Sequence, residues 1–287
     1  SIDLTGKTVY VVDSHSLIFQ VFHVMPEMTS PSGQPVGAVY GFTRDMLMLL
    51  EQKQPDYLLC AYDSPGLTFR HEFFPEYKIE REEMPEQLRP QIPMTQRICE
   101  AFGLPVLMLP EYEADDILAR IARDVDAAGG QCFVVTGDKD CRQLITDRVA
   151  VYNIRKDEVF DAEALKETWG IRAYQVVDLQ GMVGDKTDGI PGVPLIGPKT
   201  ATTLLEEYGT LDAVLDNAAS IKGKKGKNLL EFREQALLSR RLATLDVETP
   251  IEVDWAAARA GNMDRDAALG LFHEFGFRSF AERIDAI

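Results

Sequence analysis

Apolar, often β-branched residues occur along this chain in short runs that stop on an acid or a turn. Lys7 to Val12 is one such run and ends at Asp13. An uninterrupted apolar stretch of that length suits a strand buried on both faces of a sheet. Asp56 to Tyr62 repeats the pattern and ends at Asp63, Leu104 to Met108 gives a shorter run, and Gln131 to Thr136 leads into Gly137-Asp138-Lys139-Asp140. Between them the apolar period becomes helical, at 15 to 23, 37 to 52 and 94 to 102. It is clearest after Glu113-Ala114-Asp115-Asp116, where Ile117, Leu118, Ile121, Ala122 and Val125 share one face. Alternating strands and helices predict an α/β fold with a mostly parallel central sheet and helices on both faces. Ligands of such sheets bind outside the carboxyl ends of the strands. Asp13, Asp63, Asp138 and Asp140 are therefore expected on one rim, beside the first turn of the helix that begins at Glu113.

Two segments break the alternation. SPGLTFRHEFFPEYKIEREEMPEQLRPQIP is too polar and too broken by proline for a core. A loop of this length in a compact domain is usually kept for function, so about 66–93 is expected to be an excursion outside the sheet. After about residue 170 the pattern is helical only, at 173 to 183, 199 to 207, 211 to 217, 227 to 243 and 265 to 275. The expected division is a catalytic α/β domain over 1–175 and a helical region over 176–287.

With 287 residues and 45% hydrophobic content, the chain has enough apolar surface for a large core. No apolar run reaches the roughly 18 residues that span a bilayer. The N-terminal SIDLTGKTVYVVD also lacks the apolar centre of a signal peptide. A cytosolic protein with no membrane partner is expected. Cys60, Cys99, Cys132 and Cys141 form no CxxC pair and sit mostly among apolar residues, as reduced thiols do. The four histidines are too scattered for a metal set. Thirty basic against 46 acidic residues give a net charge of -16, which argues against a polyanionic partner. The distribution argues the other way, because bases gather at Arg70 to Arg89 and at Lys222 to Lys227, and clustered acids invite cations.

The acids carry the chemistry. So many carboxylates on one crevice would repel one another unless cations compensated them. Oxygen donors without His or Cys suit Mg²⁺ or Mn²⁺ better than zinc. Two such ions would activate a water and stabilise the leaving oxygen of a phosphodiester. Other motif readings fail on particular residues. In the stretch from Gly192, Pro198 separates Gly197 from Lys199 and removes the P-loop step. Asp185-x-x-Asp188-Gly189 lacks the alternating ligands and closing Glu of an EF-hand. A phosphatase with Asp13 as nucleophile would need Asp two residues on, where His15 stands.

In order along the chain, VVDSHS, AYDSP, TFRHEFFPEYK, EADD, TGDKD, QGMVGDKTDGIPG and GPKTA resemble the motifs of the 5'-nuclease (flap endonuclease) superfamily. The likeness is greatest to the N-terminal 5'-3' exonuclease domain of bacterial DNA polymerase I and covers nearly the whole chain. It implies a structure-selective nuclease for 5' ends, flaps and nicks of duplex DNA in replication and repair, with two Mg²⁺ or Mn²⁺ ions. It assigns Asp13, Asp63, Glu113, Asp115 and Asp116 to a first metal region and Asp138, Asp140, Asp185 and Asp188 to a second, with Asp115 also counted as catalytic. Residues 66–93 become a helical arch over the 5' strand. In that arch Lys78 and Arg81, on one helical face, would neutralise the scissile phosphate, Arg70 would share the role, and Tyr77 would stack on an unpaired base.

Residues 183–207 become a helix-hairpin-helix element that holds a duplex phosphate through its backbone at Gly192 and Gly197 and through Lys199 and Thr200. A K⁺ ion assists there, and Lys222, Lys224, Lys225 and Lys227 make a second phosphate contact. Three positions depart from the family: Ser14 and Leu195 where Gly is usual, and Gly189 where Asn is usual. Leu195 predicts weaker anchoring at the hairpin, because Gly there lets backbone approach phosphate. Expected partners are branched or nicked DNA, RNA primers on DNA, and a polymerase module following residue 287. A monomer is expected. A non-catalytic junction-binding protein of the same fold and a related ribonuclease remain as alternatives.

Overall fold

The computed structural model describes residues 2–285 and 287. The apolar runs form β1 (Thr8–Asp13), β2 (Tyr57–Ala61), β3 (Val106–Leu107) and β4 (Gln131–Val135), followed by β5 (Val149–Asn153) and β6 (Glu158–Phe160). They make one sheet in the order β3-β2-β1-β4-β5-β6, parallel except for β6, which runs antiparallel to β5. The sequence reading stopped at four strands. It missed β5 and β6, although Val149-Ala-Val-Tyr is itself a short apolar run followed by the turn-forming Asn153 to Asp157.

The helices are α1 (Ser14–Val24), α2 (Gly37–Met48), α3 (Phe69–Phe73), α4 (Gln91–Ala101), α5 (Ala114–Ala127), α6 (Ala162–Trp169) and α7 (Val176–Val183). Then come α8 (Pro198–Tyr208), α9 (Leu211–Asp216), α10 (Gly223–Glu231), α11 (Arg233–Ala243), α12 (Arg265–Phe275) and α13 (Ala281–Ile284). The single helix expected over 227 to 243 is two, α10 and α11, divided at Phe232.

Alternation along β1 sends Val9 and Val11 to one face, against Ile117, Leu118 and Ile121 of α5. Tyr10 and Val12 point to the other, against Leu17, Ile18 and Phe42 of α1 and α2. Each such side chain contributes about 1.5–3 kcal/mol on full burial. The pleat therefore fixes which way the strand ends point, and Asp13 leaves the sheet beside the N-terminus of α5.

The division at 175 does not describe the last residues well. Phe272, Phe275, Phe277 and Phe280 join the core beneath α1, α2 and α4, and Phe280 stacks on Tyr40 with ring centroids 4.6 Å apart. The chain after α11 thus returns to the sheet instead of staying with the hairpin.

Candidate active site

Asp13 closes β1 and caps α1. One oxygen accepts from the Ser16 amide at 3.3 Å and the other from the Thr136 hydroxyl at 2.8 Å. Asp63 follows β2 and reaches across to α5, accepting from the Ala114 amide at 2.7 Å, while its own amide donates to His15 Nδ1 at 3.1 Å. An anion at a helix N-terminus is favoured by the unpaired amides and the helix dipole. Asp138 caps the turn after β4, accepting from the Asp140 amide at 2.9 Å. With Glu113 and Asp115 these groups line one cavity of about 350 Å³.

A second cluster adjoins it. Asp140, Asp185 and Asp188 place ligand oxygens within 4.8 Å of one another. Asp185 and Asp188 sit in a tight loop closed by Asp185 and Ile190, whose amides and carbonyls exchange bonds of 2.8 Å. Gly184 and Gly192 hold that loop shut at φ +72 and +66; a Cβ on Gly192 would lie 2.6 Å from the Gly184 nitrogen, so neither position admits a side chain. Asp138 also lines the larger cleft of about 810 Å³ that holds Asp140, Asp185 and Lys199, so it stands where the two cavities meet.

Burial and mutual repulsion set the protonation of these groups. Burial, then the charge of Asp63, pushes Asp13 up to about 7. Burial and the neighbouring Asp138, Asp188 and Asp185 push Asp140 to about 8. Asp115 lies well above the carboxylate range for the same reasons, burial first and then the charges of Asp138 and Asp13. Glu113 goes the other way: burial would raise it, but Lys78 and Arg70 outweigh burial and hold it low.

Several expectations about residues 66–93 are corrected. Only α3 and the start of α4 are helical there; residues 74–90 form turns and irregular chain that lie as a strap across the carboxylates. Lys78 and Arg81 do converge on the site, but through a turn with Lys78 at φ +57, not along a helical face. Lys78 Nζ bonds Glu113, its amide donates to the Asp188 carbonyl at 2.9 Å, and Arg81 pairs with Asp188 at 2.9 Å.

Tyr77 is 5% exposed, packs with Ile190, Leu242 and Ala243, and donates its hydroxyl to Glu113 at 3.2 Å, so its ring is not free to stack on a base. Arg70 is 1% exposed, and its five N–H donors all have partners: the Leu242 carbonyl, Glu113, Asp116 twice and the Thr244 carbonyl. It is out of reach of a phosphate.

Asp116 is corrected with it. Each of its oxygens accepts two bonds, from Arg70 and the Asp246 amide on one and from Arg70 and the Glu113 amide on the other. That leaves no lone pair for a cation, and Asp116 is a structural anchor for the helix that carries Glu113 and Asp115.

The segment expected to form the hairpin lies between α7 and α8. Gly197 caps α8, Pro198 occupies its first turn, and Lys199 is exposed at its start. Lys225 of α10 bonds the Thr200 hydroxyl at 3.1 Å, which joins the exposed lysines 222, 224, 225 and 227 to the hairpin. Leu195 is at φ +69 and 59% exposed, a backbone shape that favours Gly. Sequence reasoning missed Thr136 and Gln180. Gln180 of α7, five residues before Asp185, donates to Asp140 at 2.7 Å, and its place in QGMVGD was the available signal.

Residues 8–170 match the family model of the 5'-3' exonuclease N-terminal resolvase-like domain, and residues 171–266 that of the 5'-3' exonuclease C-terminal SAM fold. DNA polymerase I of Bacillus caldotenax is 38% identical over 98% of this chain, which spans 32% of that polymerase. A 5'-3' exonuclease of Aquifex aeolicus is 32% identical over 98% of this chain and 96% of its own length.

Among solved structures, T5 5'-exonuclease with bound divalent metal ions (zinc) covers 93% of this chain and 99% of its own, with a TM-score of 0.72 at 22% identity. The bacteriophage T5 D15 flap endonuclease in a complex with DNA and metal ions covers 94% of this chain and 100% of its own, at a TM-score of 0.71 and 21% identity. On the family models and the Aquifex relative, this chain belongs to the 5'-3' exonuclease family.

Proposed function

We propose that the chain is a metal-dependent, structure-selective 5' nuclease that hydrolyses phosphodiesters near 5' ends, flaps and nicks of duplex DNA. The observation that carries this is the meeting of two carboxylate clusters at Asp138, in a cleft shared with Lys199 of the hairpin. The donor set fits hard divalent cations. It is all oxygen, its members hold one another's protons by repulsion, and Asp140, Asp185 and Asp188 bring oxygens within 4.8 Å of one another. Asp140, Asp185 and Asp188 would hold one Mg²⁺ or Mn²⁺ and Asp13, Asp63, Glu113 and Asp115 another, with Asp138 between. Such ions supply a nucleophilic water and charge for the leaving oxygen. The T5 relatives bind divalent ions and DNA, which supports the same reading.

The protein's own groups do the rest. Lys78 and Arg81 would exchange Glu113 and Asp188 for the oxygens of the scissile phosphate, where charge develops. The amides at the start of α8, with Lys199, Lys225 and a K⁺ ion at the hairpin, would hold a phosphate of the duplex. By this reading the chain works beside a polymerase module, as its span of the DNA polymerase I relatives suggests, in the bacterial cytosol, and RNA primers on DNA are among its substrates.

The test is cleavage of a 5'-labelled flap on a nicked duplex, with Mg²⁺, with EDTA and with Asp115→Asn. Cutting near the branch that is lost in EDTA and severely reduced in the variant is expected. Binding without cutting would turn the reading to a junction-binding protein. Preference for free single-stranded RNA over the matched DNA flap would turn it to a ribonuclease.

A further inference from the structure

The turn between β5 and β6 stands on the same rim as the acids. β4 and β5 are parallel neighbours, so the residues that follow each strand leave the sheet at the same carboxyl end. Asp138 follows β4 and Arg155 follows β5. The turn is built to hold Arg155 in place. The Asn153 side chain accepts from the amides of Arg155 and Lys156 at 3.0 and 3.2 Å. Asp157, at φ +51, accepts from Lys53 at 2.9 Å and from the Tyr152 hydroxyl at 2.6 Å. Arg155 Nη2 pairs with Asp45 of α2, which is buried, and its Nε donates to Gln20 Oε1 of α1 at 2.9 Å.

A guanidinium only donates, so that bond decides which way the Gln20 amide faces. The amide oxygen meets Arg155, and Nε2 is turned to the Ser16 hydroxyl, 3.3 Å away and one helical turn back on α1. Nε2 also rests on the turn after β4, where a Cβ on Gly137 would lie 2.4 Å from it. Ser16 Oγ accepts from the Gly137 amide at 3.0 Å, while the Ser16 amide donates to Asp13. Thr136 makes a second bridge of this kind: its hydroxyl donates to Asp13 and accepts from the Asp138 amide at 3.0 Å. Asp13 and Asp138 repel each other, so their spacing depends on these two hydroxyls and on what holds them. We infer that Arg155 is a positioning residue for the carboxylate centre, acting through Gln20 and Ser16 on the turn that carries Asp138. The guanidinium orients the amide, the amide orients the hydroxyl, and the hydroxyl holds Gly137. The inference rests on the proposed metal reading and deepens it, because Asp138 stands where the two clusters meet and its place sets how well they hold a cation.

The experiment is calorimetric titration with Ca²⁺, without DNA, of the native protein, Gln20→Met, Arg155→Lys and the double variant, at a temperature where urea unfolding shows all of them folded. Gln20→Met fills the same space on a half-buried helix face and leaves Arg155 on Asp45. It is expected to bind Ca²⁺ about tenfold more weakly, the usual effect of removing a group that orients a metal ligand. Arg155→Lys keeps a cation at Asp45 but not the planar fork that meets Gln20 at the same time, and is expected to weaken binding in the same direction. Added to Gln20→Met, it is expected to change the affinity by less than about twofold, because its route to Gly137 is already cut. A role confined to stability would lower the urea midpoint and leave the Ca²⁺ affinity of the folded protein where it was. Native-like affinity in either single variant would overturn the inference. Equal losses from Arg155→Lys with and without Gln20 would also overturn it, since its effect would then not pass through that residue. A native protein that binds no Ca²⁺ would instead overturn the metal reading, and the inference with it.

Discussion

Arg70 and Asp116 meet face to face in the interior, with Nη1 donating to Oδ2 and Nη2 to Oδ1 at 2.8 Å each. The pair ties the base of the strap to the first turn of α5, and the remaining Arg70 donors tie both to the carbonyls of Leu242 and Thr244 at the end of α11. Three distant parts of the chain are thereby held around Glu113. Arg70→Ala would leave Asp116 buried and unpaired, a loss of about 3–5 kcal/mol. Arg70→Lys is expected to restore little, because an ammonium cannot reproduce the planar fork. Urea unfolding of the two variants checks this; near-native stability of Arg70→Lys would show that the bidentate geometry is not what matters.

Lys78 contacts the same carboxylate that a divalent ion would need. Glu113 accepts from Lys78, Tyr77 and Arg70, and of the three Lys78 is the one on a turn of positive φ in the strap. Cation binding at Glu113 and docking of Lys78 are therefore competitors. Lys78→Met, which keeps the apolar stem, is expected to bind Ca²⁺ several-fold more tightly in calorimetry without DNA, while cutting more slowly because a phosphate partner is gone. Unchanged or weaker Ca²⁺ binding would show that Lys78 does not compete.

This arrangement marks the limit of what the chain pattern reveals. The strands that end at Asp13 and Asp63 are legible because an apolar run and its final acid are adjacent in sequence. Asp140 is placed on the rim by the same pattern, but its meeting with Asp185 and Asp188 needed motif resemblance, since it depends on a loop held by Gly184 and Gly192 at positive φ. The fate of Arg70 was not legible at all. Its partners lie 46 residues away at Asp116 and 172 away at Leu242, so a local reading sees a basic residue in a polar loop and assigns it to phosphate. Tyr77 misled in the same way, and the aromatic residues from Phe272 to Phe280 looked like part of the helical region because their partner Tyr40 lies far upstream.

The raised carboxyls give a pH dependence with a definite sign. Asp13 moves from the usual 3.8 to about 7 and Asp140 from 3.8 to about 8, so between those limits the folded state binds more protons than the unfolded chain. Their contribution to stability is fully present below the unfolded value and is lost as pH rises through the folded ones. In EDTA, urea midpoints are expected to fall from pH 5 toward pH 8.5. On the proposed metal reading, saturating Mg²⁺ would bind the deprotonated acids and reduce or reverse that fall, since binding to the native state alone stabilises it. A midpoint in EDTA that rises over the same range would contradict the assignment.

Leu195 tests the hairpin without touching its charges. A non-glycine residue at φ +69 is strained, and relief by Leu195→Gly is worth roughly 1–2 kcal/mol. The added freedom of the unfolded chain takes back about 0.4–1 kcal/mol, so a small net stabilisation is expected. Binding should change more. The exposed side chain stands at the turn between Pro194, whose carbonyl accepts from Asn228 of α10 at 2.8 Å, and Gly197, which caps α8. Its removal lets a phosphate approach the hairpin backbone while adding no cation. Leu195→Gly is therefore expected to bind a nicked duplex several-fold more tightly at every salt concentration, with the slope of log affinity against log salt unchanged. Lys225→Ala is expected to do the opposite, lowering affinity and reducing the slope by about 0.9, the share of one neutralised phosphate. Fluorescence anisotropy across a salt series measures both, and a Leu195→Gly variant that binds no better than the native protein would show that the side chain lies off the path of the phosphate.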